Sequence, residues 1–132
     1  MGALLDHVKG YYGVLNSGDA DAVAACFTDD AVHYYTRMAP HRGSREIAER
    51  AAWAVHNIGA EWSMYNGIDD GTQAVIEWAM KWTHPETGEQ RLDRGTEWFR
   101  FRDGLICEVR AYYNRSGDLI DFDHAGRGHT ML

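Results

Sequence analysis

The segment RGTEWFRFRDGLICEVRAYY, residues 94–113, alternates apolar and polar side chains on both sides of an Asp-Gly pair. Alternation is the period of a β-strand, and Asp-Gly between two such runs marks a hairpin. A hairpin has two faces, so the position of Glu97 constrains the fold strongly. A two-residue loop pairs Arg102 with Leu105 and sets Glu97 against Arg110. A three-residue loop, Arg102-Asp103-Gly104, pairs Phe101 with Leu105, Phe99 with Cys107 and Glu97 with Val109. The second register sorts the side chains better. One face becomes Phe99, Phe101, Leu105, Cys107, Val109, Ala111 and Tyr113. The other becomes Trp98, Arg100, Ile106, Glu108, Arg110 and Tyr112. Register follows the apolar pattern, so the three-residue loop is expected, with Glu97 on the apolar face.

The preceding hairpin tests this independently. If His84 pairs with Glu89 across Pro85–Gly88, then Trp82 faces Arg91, Met80 faces Asp93, Trp78 faces Gly95 and Ile76 faces Glu97. The apolar face of strand 72–83 is Ala74, Ile76, Trp78, Met80 and Trp82, the face that again carries Glu97. Gly95 leaves room beside the carboxylate. A carboxylate among apolar side chains is costly unless paired, protonated or next to water. Desolvation favours the neutral form of a carboxyl group, which is the tuning a general acid or base uses. The competing structural role is an ion pair with a helix residue.

The first half of the chain reads as helical. Leu4, Leu5, Val8, Tyr11, Tyr12 and Leu15 follow the 3.6-residue period, and Gly18 ends that segment. Asp19 is placed to cap a short helix carrying Val23 and Phe27. A short strand, AVHYYT at 31–36, follows. Ser44 is the expected N-cap of a third helix, with Glu46 in its first turn and Ile47, Ala51, Val55 and Ile58 as its buried stripe. Strands are expected near 60–67, 72–83, 89–101 and 105–114, separated by turn signals. Helices first and a meander afterwards define an α+β fold with helices on one sheet face.

The 132 residues suit one core, and a net charge of −7 without a Lys/Arg cluster argues against nucleic acid. No apolar run approaches the roughly 20 residues that span a bilayer, and the start MGALLDHVKGYY carries neither a signal-peptide pattern nor a myristoylation motif. Cys26 and Cys107 form no metal-type or CxxC pair; buried free thiols in a reducing compartment are expected, with the cytoplasm as location. The seven histidines show no HxH or HExxH spacing, so no metal site is expected. No GxGxxG or phosphate loop is present, and no cofactor is expected.

The stretches YYGVLNSGDADAVAACFTDDAVHYY and HRGSREIAE, followed by the long hairpin WTHPETGE…LDRGTEWFRFRDGLICEVRAYYN, resemble the nuclear transport factor 2-like superfamily, in its SnoaL-like and ketosteroid-isomerase-like branch. The resemblance covers about residues 4–114. It implies a cone-shaped, curved antiparallel sheet wrapped around three helices, with a pocket open at one end, in a domain spanning 1–114. Carried over from ketosteroid isomerase, the helix-1 tyrosine that donates to an oxyanion falls on Tyr11. The protonated aspartic acid, its second donor, falls on Glu97. The base aspartate falls on Tyr35, a departure that argues against steroid isomerisation, because a tyrosine of ordinary pKa near 10 is a poor base at pH 7. The limonene epoxide hydrolase arrangement needs an Asp–Arg–Asp set, of which Asp93 and a nearby arginine supply two members.

His33 shares the strand face of Tyr35, so it is the candidate base, with Glu97 as its acid partner. Trp62, Trp78, Met80, Trp82, Phe99, Val109 and Tyr113, with Asp93, are the candidate pocket residues for a small, mostly apolar ligand. The tail 115–132 is expected either as a free end or as a lid that brings His124 to the pocket. The expected function is cofactor-independent acid–base chemistry, by Glu97 and His33 with Tyr11 and Tyr35 as hydrogen-bond donors, of the isomerase, cyclase, dehydratase or epoxide-hydrolase type. The alternative is a non-catalytic ligand-binding or dimeric adaptor domain. A homodimer is expected through the outer sheet face at Trp98, Ile106 and Tyr112.

Overall fold

The structure is a computed structural model that describes residues 2–114. Three helices precede most of the sheet: α1 (Ala3–Leu15), α2 (Ala20–Ala24) and α3 (Ser44–Ile58). Six strands, β1 (Phe27–Tyr35), β2 (His41–Arg42), β3 (Glu61–Asp69), β4 (Gln73–Thr83), β5 (Gln90–Arg102) and β6 (Leu105–Asn114), form one sheet in the order β2-β1-β6-β5-β4-β3. Strand β1 runs parallel to β6, and every other neighbouring pair is antiparallel. The fold is α+β, as expected. Among the described residues no helix is long and apolar enough to cross a membrane.

Each helix starts for a local reason. The Leu5 amide of α1 donates to Asp69 Oδ2 at 2.8 Å, which ties the helix to the end of β3. Asp19 Oδ1 accepts from the Asp21 and Ala22 amides, the cap expected for α2. That helix is shorter than its apolar pattern suggested, because Phe27 begins β1 instead of ending α2. The cap of α3 is Gly43, at φ 91°, and not Ser44. Its first turn is steadied by Glu46, whose carboxylate accepts from the Arg42 amide at 2.6 Å.

The β4–β5 hairpin has the expected register throughout, from Trp82 opposite Arg91 to Ile76 opposite Glu97. The β5–β6 hairpin does not. Its loop is the two-residue Asp103-Gly104, both at positive φ, with Arg102 opposite Leu105. A bulge then leaves Cys107 without an opposite residue, because Phe101 faces Ile106 while Arg100 faces Glu108. Glu97 therefore sits opposite Ala111, not Val109. The inward face survives above the bulge, with Phe99, Val109 and Ala111 buried and Trp98, Arg100, Arg110 and Tyr112 exposed. Below it the faces exchange, so Ile106, expected outside, is fully buried. Cys26 and Cys107 are free thiols, each only half-buried.

Candidate active site

The inner sheet face is arranged in rows that cross the strands. One row runs Tyr35, Ala111, Glu97, Ile76 from β1 to β4. The row beneath it is His33, Val109, Phe99, Ala74, and the row above is Tyr113, Gly95, Trp78, Met64. Ala111 lines the cavity that opens here, and Gly95 lets the β6 backbone approach closely. A Cβ on Gly95 would run into the Tyr112 carbonyl and the Tyr113 backbone. Above it the Trp78 and Tyr113 rings lean together at 5.8 Å.

The cavity measures about 330 Å³, within the usual range for small-molecule sites. Its strand wall includes His33, Tyr35, Trp62, Trp78, Met80, Trp82, Asp93, Glu97 and Tyr113. Its helix wall includes Tyr11, Leu15, Ile47, Arg50, Trp53 and Ile58. Of the residues expected here, Phe99 and Val109 do not line it. They lie one row deeper, at 0 % exposure, and form the packed core under the cavity floor. His124 lies outside the described residues, and so does the tail expected as a lid.

Glu97 is the polar centre of the floor, at 6 % exposure. Its Oε1 accepts from the Tyr12 hydroxyl at 2.5 Å, and its Oε2 lies 3.4 Å from His33 Nε2. The resemblance implies an oxyanion donor at Tyr11; the hydrogen bond to Glu97 itself comes from the neighbouring Tyr12. Both tyrosines belong to the buried stripe of α1, with rings edge-to-face at 5.4 Å, and helix periodicity alone does not separate them. Tyr11 does reach the cavity, while Tyr12 holds the carboxylate from behind.

His33 is buried and stacks on Tyr35, with centroids 4.2 Å apart and planes at 15°. Its Nδ1 has no hydrogen-bond partner among the described residues. The hydroxyls of Tyr11 and Tyr12 are pushed well above the ordinary tyrosine range, chiefly by burial and then by the Glu97 charge. Tyr35 is raised by the same two causes, with Arg50 opposing them. All three therefore keep their protons at working pH and act as donors only. Among the described residues no group of three His, Cys, Asp or Glu side chains could hold a metal ion.

A six-stranded curved sheet packed on helices is the nuclear transport factor 2-like fold. The chain belongs to the SnoaL-like domain family, whose model matches residues 8–109. A protein of unknown function with a cystatin-like fold from Methylobium petroleophilum PM1 is 30% identical, with 98% of this chain and 92% of that chain covered, at a TM-score of 0.73. An epoxide hydrolase from M. tuberculosis, described as LEH-like, is 21% identical over 85% of this chain and 83% of its own, at a TM-score of 0.73. A protein with a ketosteroid isomerase-like fold from Catenulispora acidiphila DSM 44928, in complex with trimethylamine, is 15% identical over 82% and 85%, at a TM-score of 0.73. No curated protein matches the sequence.

Proposed function

We propose that this chain is a cofactor-independent acid–base enzyme acting on a small, mostly apolar molecule in the cavity. The observation that carries the reading is the Glu97 carboxylate at the cavity floor, held at one oxygen by Tyr12 and set 3.4 Å from His33 at the other. Tyr12 fixes Oε1, so Oε2 is the oxygen directed to proton exchange. The 3.4 Å separation is long for a hydrogen bond, as catalytic contacts often are before substrate binds. Glu97 gives or takes the substrate proton, and His33 accepts or returns it. Tyr11 and Tyr35, both neutral donors on the cavity wall, hydrogen-bond an oxygen on which negative charge develops. Isomerisation, cyclisation, dehydration and epoxide hydration all draw on this set.

The test is a panel of small cyclic ketones and epoxides. Exchange of the α-protons of 1-tetralone in deuterated water and hydration of styrene oxide are followed by NMR. The wild type accelerates at least one of them, and Glu97→Gln lowers that rate about 10²–10⁴-fold. No acceleration of any member, or a Gln variant as fast as the wild type, removes the acid–base reading.

The outer face supports a homodimer in modified form. Trp98 and Tyr112 are exposed there, whereas Ile106 is buried and is withdrawn from the contact. Sizing of the purified chain tests this, and a strict monomer ends it.

A further inference from the structure

The charges that line the cavity are unevenly placed. Asp93 and Glu97 are on the strand wall, and Arg50, from α3, is the only arginine or lysine among the lining residues. Ile47, Arg50, Ala51, Ala54 and Ile58 share one helical stripe, so Arg50 is directed along the cavity by the same periodicity that buries Ile47. Its guanidinium lies 4.5 Å from the centroid of the Trp53 ring, a cation–π contact that restrains a long side chain. Trp53 itself is large, apolar and 45 % exposed at the cavity rim. No carboxylate among the described residues forms an ion pair with Arg50.

Tyr35 stands in the same sheet row as Glu97, with Ala111 between them, stacks on His33 and lines the cavity together with Arg50. Arg50 is thus the cationic group that the cavity offers to an anion.

We propose that the substrate is an amphipathic carboxylic acid: an apolar ring or chain body seated on Trp62, Trp78 and Met80, with its carboxylate on the Arg50 guanidinium. This deepens the acid–base reading of the same cavity and rests on it for the chemistry, though not for the binding. The planar guanidinium suits a carboxylate because two parallel N–H groups meet its two oxygens. The Trp53 ring pre-orders that fork. The reacting carbon then lies past Tyr35 at Glu97 and His33, so Arg50 fixes which end of the molecule enters first.

The test is equilibrium binding of 2-naphthoate and 2-naphthamide, a matched pair that differs in charge, by calorimetry at low ionic strength. The wild type binds the acid at least about fivefold tighter than the amide, and added salt narrows the ratio. Arg50→Gln brings the two within about twofold, and Arg50→Lys keeps part of the preference because charge remains but the fork does not. Arg50→Met, which retains a stem against Trp53, serves as the second charge-removing variant if the Gln variant does not fold. A wild-type preference below about fivefold, binding of neither probe, or a preference that survives removal of the charge overturns the proposal. Neither probe needs to be turned over. A wild type that shows the acid-over-amide preference yet accelerates no member of the ketone and epoxide panel would therefore sink the acid–base reading and leave this one standing.

Discussion

The floor and the rim of the cavity hold charge in opposite ways. At the floor, Glu97 is 6 % exposed and held by specific partners: the Tyr12 hydroxyl at 2.5 Å on one oxygen and His33 at 3.4 Å from the other. At the rim, Arg50 is exposed to solvent and is steadied by a ring face. Burying a charge demands partners, because the unpaired group bears the full desolvation cost. An exposed cation has water as a partner and can wait for a ligand. The two ends are thus suited to different work, chemistry below and selection above.

The largest effect expected from breaking this contrast is on turnover at the floor. Glu97→Gln keeps the shape and an acceptor for Tyr12 but removes the exchangeable acid, so the loss of about 10²–10⁴-fold falls on rate and not on folding. Next comes Tyr12→Phe. Among the described residues the hydroxyl is the hydrogen-bond donor to Oε1, so its removal leaves a buried carboxylate oxygen unpartnered and costs about 1–3 kcal/mol of stability, measurable by urea unfolding. A loss within a few tenths of a kcal/mol would mean that water replaces the hydroxyl and that the floor is wetter than its burial suggests.

The floor was legible in the sequence to different depths. The β4–β5 register came out residue for residue, because strict alternation in 72–83 and the Pro85–Gly88 turn leave one alignment that sorts the faces. The β5–β6 register did not, because Leu105, Ile106 and Cys107 are three apolar residues in a row and alternation is silent there. The bulge at Cys107 sits in that silent stretch. Glu97 was still placed inward, since the loop length and the bulge each shift the pairing and together preserve the upper face. Alternation gives Phe99 and Val109 a face but not a row; the row depends on pairing across β1 and β6, a parallel contact with no local sequence signal. Tyr12 and Tyr11 were inseparable, since adjacent tyrosines both fit one helical stripe. Arg50 went unread for a related reason. The stripe of α3 is defined by its apolar residues, and a cation at a cavity-facing position breaks that pattern without a signal of its own.

A smaller effect is expected on the alkaline side. Tyr11, Tyr12 and Tyr35 are all raised in the folded state by burial and by the Glu97 charge. A raised folded value means that the unfolded chain loses these protons first. Their stabilising contribution is fully present below the unfolded tyrosine value of about 10 and is lost as pH rises above it. Thermal melts between about pH 8 and about pH 11 should show the melting temperature falling above pH 10, with a gentler slope in Tyr12→Phe, which has one such group fewer. An unchanged melting temperature across that window would mean that the three hydroxyls are reachable by solvent and ionise in place.

The smallest effect belongs to the rim, and its smallness is the point. Arg50 makes no ion pair among the described residues, and its ring partner Trp53 is itself partly exposed. An exposed cation–π contact is worth about 0.5–1 kcal/mol, part of which the apolar stem retains in Arg50→Met. The Met variant should therefore unfold within about 0.5 kcal/mol of the wild type, the range of ordinary surface substitutions. A side chain this dispensable to folding, placed on the cavity stripe of α3, is held there at little structural cost and is free to act on what enters. A loss of several kcal/mol would say the reverse: that Arg50 braces α3 against the sheet, and that the division between a structural floor and a selective rim is drawn in the wrong place.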